Sequence, residues 1–223
     1  MTEYQEENAV NRLIGAPPGY VGHEAGGQLT DKVATTPYSV VLFDEVEKAH
    51  PRVLDVLLQI LEEGRLTDGK GRTVKFSETV IILTSNIGSH YLADLSLSSA
   101  LARDAAEVEL KQHFRPEFLN RLDDIIFFNV LDDDDLRQIL GLMLSKEEKL
   151  VAGRGLKLEV TDNARTWLLK KNEHPEWGAR PLRRIIQKHI REPLADWLLT
   201  ENPPNGATVH IEEKGQKLVF QKM

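Results

Sequence analysis

Ser39-Val40-Val41-Leu42-Phe43-Asp44-Glu45 sets four apolar residues, two of them β-branched, directly before two carboxylates. Such a run reads as a strand buried on both faces whose C-terminal end opens into a polar site. In a parallel sheet, ligands bind at that end. An aspartate there can hold Mg²⁺ for phosphoryl transfer, and a neighbouring acid can orient or deprotonate the attacking water. Asp44 is therefore the candidate metal partner and Glu45 the candidate base. The same pair would also serve as a helix cap, and the surrounding sequence has to separate the two readings.

Downstream, Val53, Val56, Leu57, Ile60 and Leu61 recur at helical spacing between Pro51 and Gly64, which suit the first turn and the position just past the end of a helix over 51–63. Gly64-Arg65-Leu66-Thr67-Asp68-Gly69-Lys70 then fits the G-x-x-x-x-G-K of a phosphate-binding loop, but Gly71 stands where Ser or Thr must reach Mg²⁺. The stretch also follows a helix and precedes the strand-like Thr73-Val74-Lys75-Phe76, the reverse of what such a loop needs, so it reads as a glycine-rich turn. Thr79-Val80-Ile81-Ile82-Leu83-Thr84 is a second buried strand that breaks into Ser85-Asn86, and its polar end is expected beside the first. Asn86 there can bond a γ-phosphate or the attacking water, and it is also a common turn former. Residues 90–106 are small, polar and weakly patterned, and read as a loop with a short helix. Ile125-Ile126-Phe127-Phe128 is a third expected buried strand, with Arg115 and Arg121 the nearest cations, each also suited to a surface ion pair.

Upstream, Gly15-Ala16-Pro17-Pro18-Gly19-Tyr20-Val21-Gly22 is punctuated by glycine and proline, so Tyr20 and Val21 sit at the tip of a loop. A helix over 28–35 follows, and Pro37 separates it from the first strand. Composition narrows the classes. The chain has 223 residues, enough for one large or two small domains, with 28 basic and 35 acidic side chains and a net charge of −7. No basic cluster marks a nucleic-acid surface. There is no cysteine for a disulfide or a thiolate metal site, and no apolar run approaches a membrane span. The expectation is a soluble, cytoplasmic chain with neither nucleic acid nor membrane as partner.

Taken together, Asn11 to Gly22, Val41-Leu42-Phe43-Asp44-Glu45-Val46-Glu47-Lys48-Ala49-His50-Pro51, Leu83-Thr84-Ser85-Asn86, Phe114-Arg115-Pro116-Glu117-Phe118-Leu119-Asn120-Arg121 and Gly178-Ala179-Arg180-Pro181 resemble successive signatures of the Clp family of AAA+ ATPases. The likeness is to the second ATPase module of ClpB-type disaggregases and their ClpA and ClpC relatives. It implies ATP and Mg²⁺ as cofactors, a hexameric ring of like subunits, and unfolded or aggregated polypeptide pulled through a central pore. By that resemblance Asp44 and Glu45 are Walker B acids, Asn86 is sensor 1, Arg121 the arginine finger, Arg180 the sensor 2 arginine, and Tyr20 with Val21 the pore-loop residues that grip substrate. A glycine-flanked aromatic suits this last role, since it offers apolar contact without demanding a particular partner sequence.

The resemblance implies an α/β large subdomain over 1–130, built on a partial P-loop-type parallel sheet, and a small α+β lid over 131–223. Within the lid, Asp132 to Asp135 open a helix whose stripe is Leu136, Ile139, Leu140 and Met143, which favours capping over metal binding. Leu156 to Val160 alternates as a strand, Thr161 caps the next helix, and 208–213 with 217–221 form a hairpin. Pro181 suits the first position of a helix carrying Leu182, Ile185, Ile186 and Ile190, so Arg180 lies at a positive helix end, where a cation is disfavoured by about 0.3–1 kcal/mol unless an anion is near. Trp177 is expected in the lid core.

Family members place G-x-x-x-x-G-K-[ST] and its strand upstream of the point matching Met1. The sequence is accordingly expected to be a fragment, a split gene product or a truncated gene model, without measurable ATPase by itself. Two functional readings stay open: part of an ATP-driven unfoldase, or a nucleotide-silent module that caps or inhibits a related ring. Protease-coupled ClpA and ClpC types carry an Ile-Gly-Phe-like docking loop after sensor 1. Ile87-Gly88-Ser89 lacks its third apolar residue, which favours the ClpB side.

Overall fold

In the computed structural model, which describes residues 1–20, 26–94, 96–174 and 177–223, the run before Asp44 forms strand β1 (Val40–Phe43). It lies in the first of two units, Met1–Phe128 and Asn129–Met223. Helices α1 (Ala9–Ile14) and α2 (Gln28–Thr35) precede it, and α3 (Pro51–Glu63) follows. α3 has the bounds its sequence predicts. His50 caps it by accepting the Arg52 N–H at Nδ1 (3.2 Å), Pro51 fills the first turn, Val53, Leu57 and Ile60 are buried, and Gly64 ends it with φ 62°.

The glycine-rich stretch is the turn of an antiparallel hairpin, β2 (Arg65–Thr67) with β3 (Thr73–Lys75), whose Leu66 and Val74 pair on the buried face. β4 (Val80–Leu83) then pairs with β1 in parallel, from Val40 opposite Val80 to Phe43 opposite Leu83. The helices α4 (Ser89–Leu92), α5 (Ser99–His113) and α6 (Pro116–Leu119) complete the unit. α5 is much longer than the short helix expected within 90–106. Its inner face is Ala102, Ala106 and Leu110, and alanines give a weak periodic signal although they pack as tightly as larger residues.

Two expectations of burial are corrected in this unit. β1 is not covered on both faces: Phe43 is buried, but Val40 and Leu42 are 64% and 58% exposed, and Val80 and Ile82 of β4 share that bare face. The sheet of this unit has its core on one side, so alternation in burial replaces the continuous burial that an apolar run implies. Ile125–Phe128 is not a strand either. Among the described residues β4 pairs only with β1, so this run has no ladder to join, and Ile126 and Phe128 lie exposed while Phe127 packs against the core.

The second unit is α+β. α7 (Asp133–Ala152) opens on a capping box, in which Asp132 accepts from the Asp135 N–H (2.8 Å) and Asp135 from the Asp132 N–H (3.2 Å). β5 (Lys157–Val160) leads into α8 (Asp162–Lys170), capped by Thr161. α9 (Arg180–Ile186) runs through a π-turn at Gln187–Arg191 into α10 (Glu192–Glu201). The hairpin β6 (Thr208–Lys214) and β7 (Lys217–Lys222) adds to β5, giving a sheet in the order β5-β6-β7, parallel and then antiparallel. Its two-residue turn puts Gly215 and Gln216 at φ 58° and 63°, the positive pair that matches strand twist. Leu144, Leu168, Leu182, Ile190 and Ile211 form a fully enclosed core. Trp177 is not part of it: the side chain is 59% exposed and stacks on His174 at 4.1 Å. The turn before α9 leaves it outside the stripe that α9 buries.

Candidate active site

The parallel register fixes the site. Because Phe43 stands opposite Leu83, the next residues, Asp44 and Thr84, leave the sheet side by side. Thr84 clasps this end: its Oγ1 donates to Asp44 Oδ1 (2.6 Å) and accepts the Glu45 N–H (3.1 Å), while its carbonyl accepts the Val46 N–H (2.9 Å). Glu45 is held at φ 56°, ψ 53°, a left-handed conformation uncommon outside glycine and asparagine. Strain of that kind persists where surrounding bonds over-determine it, and it concentrates at functional positions.

The Glu45 carboxylate accepts from Lys48 Nζ (2.8 Å) and Thr2 Oγ1 (2.9 Å). The Lys48 bond first and the Thr2 bond second hold its pKa below the ordinary glutamate range. Glu45 is thus an ionised but weakened base in this arrangement, and releasing Lys48 would make it more basic. Glu47 sits in the same turn. Its Oε1 accepts the Asn86 N–H (3.4 Å), and its Oε2 is buried without a hydrogen-bond partner among the described residues. The structure therefore gathers Asp44, Glu45 and Asn86 at one sheet end. Lys48, Glu47 and Thr84 join them although sequence reasoning gave them no role. Only Lys48, three residues after Glu45, and Thr84, level with Asp44 once a parallel register is assumed, left a readable trace.

Arg121 is elsewhere. It pairs with Glu62 near the end of α3 (Nε to Oε1, 3.2 Å), and Arg115 pairs with Asp55 (3.1 Å). Glu62 stands about 16 Å along the helix from the start of α3, and the ion pair of Arg121 is with Glu62 and not with Asp44 or Glu45. Tyr20 ends a tight turn, its N–H bonding the Pro17 carbonyl (3.2 Å), with a side chain 67% exposed. Val21 lies outside the described residues. In the second unit, Arg180 is the exposed first residue of α9, directly before Pro181.

The first unit matches the family model described as AAA domain (Cdc48 subfamily) over residues 1–125. The chain belongs to this AAA domain family. Residues 131–211 of this AAA chain match a second model, the C-terminal D2-small domain of ClpB protein. The chain is similar to the chaperone protein ClpB of Agrobacterium fabrum, 48% identical over 223 residues that make up 99% of this chain and 26% of that protein. It is 52% identical to ClpB of Streptomyces albus G over 95% of this chain and 25% of that one, and 47% identical to ClpB of Aquifex aeolicus over 99% and 23%. The AAA chain thus spans about a quarter of the length of these curated relatives.

The donor set suits a hard divalent cation. Thr84 occupies one oxygen of the exposed Asp44 carboxylate, and oxygen ligands on a carboxylate are what Mg²⁺ takes. The residues fit the metal side of a nucleotide site, whereas the 223 residues contain no G-x-x-x-x-G-K-[ST] to cradle phosphates.

Proposed function

We propose that this chain carries the hydrolytic and polypeptide-gripping residues of an ATP-driven disaggregase of ClpB type, working in the cytoplasm as a hexameric ring. The reading is carried by the clasp at the end of β1 and β4, in which Thr84 fixes Asp44 and the backbone of a left-handed Glu45 together. Bound Mg²⁺ neutralises charge on the β and γ phosphates in such hydrolases. Asp44 holds the metal side, and Glu45 takes the proton of the attacking water once Lys48 lets go of it. Asn86, whose backbone is tied to Glu47, orients that water or the γ-phosphate. Arg121, paired within its own unit with Glu62 and not with Asp44 or Glu45, serves the nucleotide of a neighbouring subunit. Arg180 contributes phosphate contact from the small domain. Tyr20 and Val21 grip unfolded or aggregated polypeptide. The phosphate cradle and its lysine are supplied by residues outside these 223.

The test is a chimera in which this chain replaces the matching stretch of the Agrobacterium fabrum relative. It should hydrolyse ATP and reactivate an aggregated reporter enzyme. Glu45→Gln should lower turnover by about 10²–10⁴ while nucleotide stays bound, since the amide keeps shape but accepts no proton. Arg121→Ala should lower it by about 10³–10⁵. The chain alone should show no steady-state hydrolysis. Hydrolysis by the chain alone that Glu45→Gln abolishes would overturn the assignment of the cradle. A chimera that assembles but never turns over would favour a nucleotide-silent module that caps a related ring.

A further inference from the structure

Ile14 and Gly15 at the end of α1 and Gly26 and Gly27 before α2 flank the segment carrying Tyr20 in the sequence, and the two flanks are packed against each other. A Cβ on Gly15, at φ 93°, would lie 3.3 Å from the carbonyl carbon of Gly26 and from the nitrogen of Gly27. A Cβ on Gly27 would lie 2.4 Å from the Ile14 carbonyl carbon and from Thr30 Oγ1. The hairpin turn between β2 and β3 closes over this junction. The Gly69 N–H donates to the Ile14 carbonyl (2.8 Å), and a Cβ on Gly69 would sit 2.5 Å from the Gly15 carbonyl oxygen, inside any normal contact.

A charged network fastens the same turn to the far side of the junction. Asp68, almost fully buried, accepts the N–H groups of Lys70 (2.9 Å) and Arg72 (2.8 Å) at Oδ1 and Arg72 Nε at Oδ2 (2.7 Å). Burial pushes the Asp68 carboxyl up, but the backbone and side-chain bonds from Arg72 outweigh it and leave it below the ordinary aspartate range. Arg72 then reaches across to Asp31 in the first turn of α2. One end of the segment is thus bonded to the turn through Gly69 and the other is tethered through Arg72 and Asp31.

We infer that the turn Asp68–Arg72 is a positioning brace that fixes the spacing of Ile14–Ala16 and Gly26–Gly27, and with it the placement of Tyr20. The inference rests on the reading that Tyr20 grips polypeptide. A gripping side chain transmits force only if its anchor does not yield, and here two backbone strands and a buried carboxylate share the anchor. Gly69, within a stretch that superficially fits a phosphate loop, acquires a separate purpose: close approach of backbone to backbone.

Amide hydrogen exchange on this chain tests it. Gly69→Ala should speed exchange at residues 14–16 and 26–27 by about tenfold or more, a local opening, while β1, β4 and α3 keep their protection. No change at the junction, or an equal rise in β1 and β4, would overturn the brace. Should Gly69→Ala not fold, Asp31→Ala removes the acceptor that Arg72 reaches and must raise exchange at 26–27 with β1 unchanged; no rise overturns the inference. In the chimera, Gly69→Ala should lower the ratio of reporter reactivation to ATP turnover, as Tyr20→Ala should. If Tyr20→Ala leaves that ratio intact, the gripping reading fails, and the exchange result still decides the brace.

Discussion

The sheets of the two units are built from different sequence patterns and leave different surfaces open. β1 and β4 offer eight apolar residues and bury one face, leaving Val40, Leu42, Val80 and Ile82 in water. β5 and β6 carry fewer apolar residues, alternating with charged ones, yet Val209 and Ile211 are fully enclosed by the helices of their own unit. Both sheets are buried on one face only, and the difference lies on the open face, where β5 and β6 carry Lys157, Glu159, Thr208 and His210 and β1 and β4 carry aliphatic residues. The sheet of the second unit buries Leu158, Val160, Val209 and Ile211 against that unit's own core. The first retains an apolar face that a further layer of structure would cover, and such faces favour association.

The largest effect that would sharpen this contrast is in the enclosed core. Leu168→Ala should cost about 2–5 kcal/mol, because a fully packed site collapses poorly around a cavity. All three tryptophans, Trp167, Trp177 and Trp197, lie in the second unit, so urea unfolding of the full chain followed by tryptophan fluorescence reads that unit alone. A change below about 0.5 kcal/mol there, within the range of surface substitutions, would break the contrast.

How legible these differences were depends on where the information resides. α3 announced itself through Val53, Leu57 and Ile60 between a proline and a glycine, and the polar ends of β1 and β4 through an abrupt change from apolar to acidic or amide side chains. Ile125–Phe128 misled because an apolar tetrapeptide states an affinity for burial and says nothing of whether a ladder stands beside it. α5 was under-read because alanines at 102 and 106 look like loop filler until Leu110 completes the stripe. In the site, Asp44, Glu45 and Asn86 were readable by type. Glu47 was not, because its contact with Asn86 arises from the register of two strands and joins residues 39 apart, which no local pattern encodes.

A smaller effect lies on the bare face. Leu42→Ser should change unfolding by no more than about 0.5 kcal/mol, followed by tyrosine signals, since Tyr4, Tyr20, Tyr38 and Tyr91 all lie in the first unit. It should also lower concentration-dependent self-association measured by sedimentation. A large loss of stability would mean that this face is covered.

The smallest effect concerns acid. Asp68 has a folded pKa below its unfolded one, so it contributes stability above the ordinary aspartate value near 4 and loses it as pH falls through the lower folded value. Exchange at residues 14–16 should therefore rise selectively below about pH 4 before the second unit responds. Simultaneous loss in both units would remove Asp68 as the cause.

The left-handed backbone at Glu45 sets two demands on one residue that point to different amino acids. Glycine is the residue that adopts this conformation without steric cost, while the proposed chemistry needs a carboxylate. A library of this chain screened only for heat resistance would accumulate Glu45→Gly and drift toward inert, durable variants. Directed evolution for activity would hold the acid in place against that current, and the stabilising substitutions it collected would fall elsewhere.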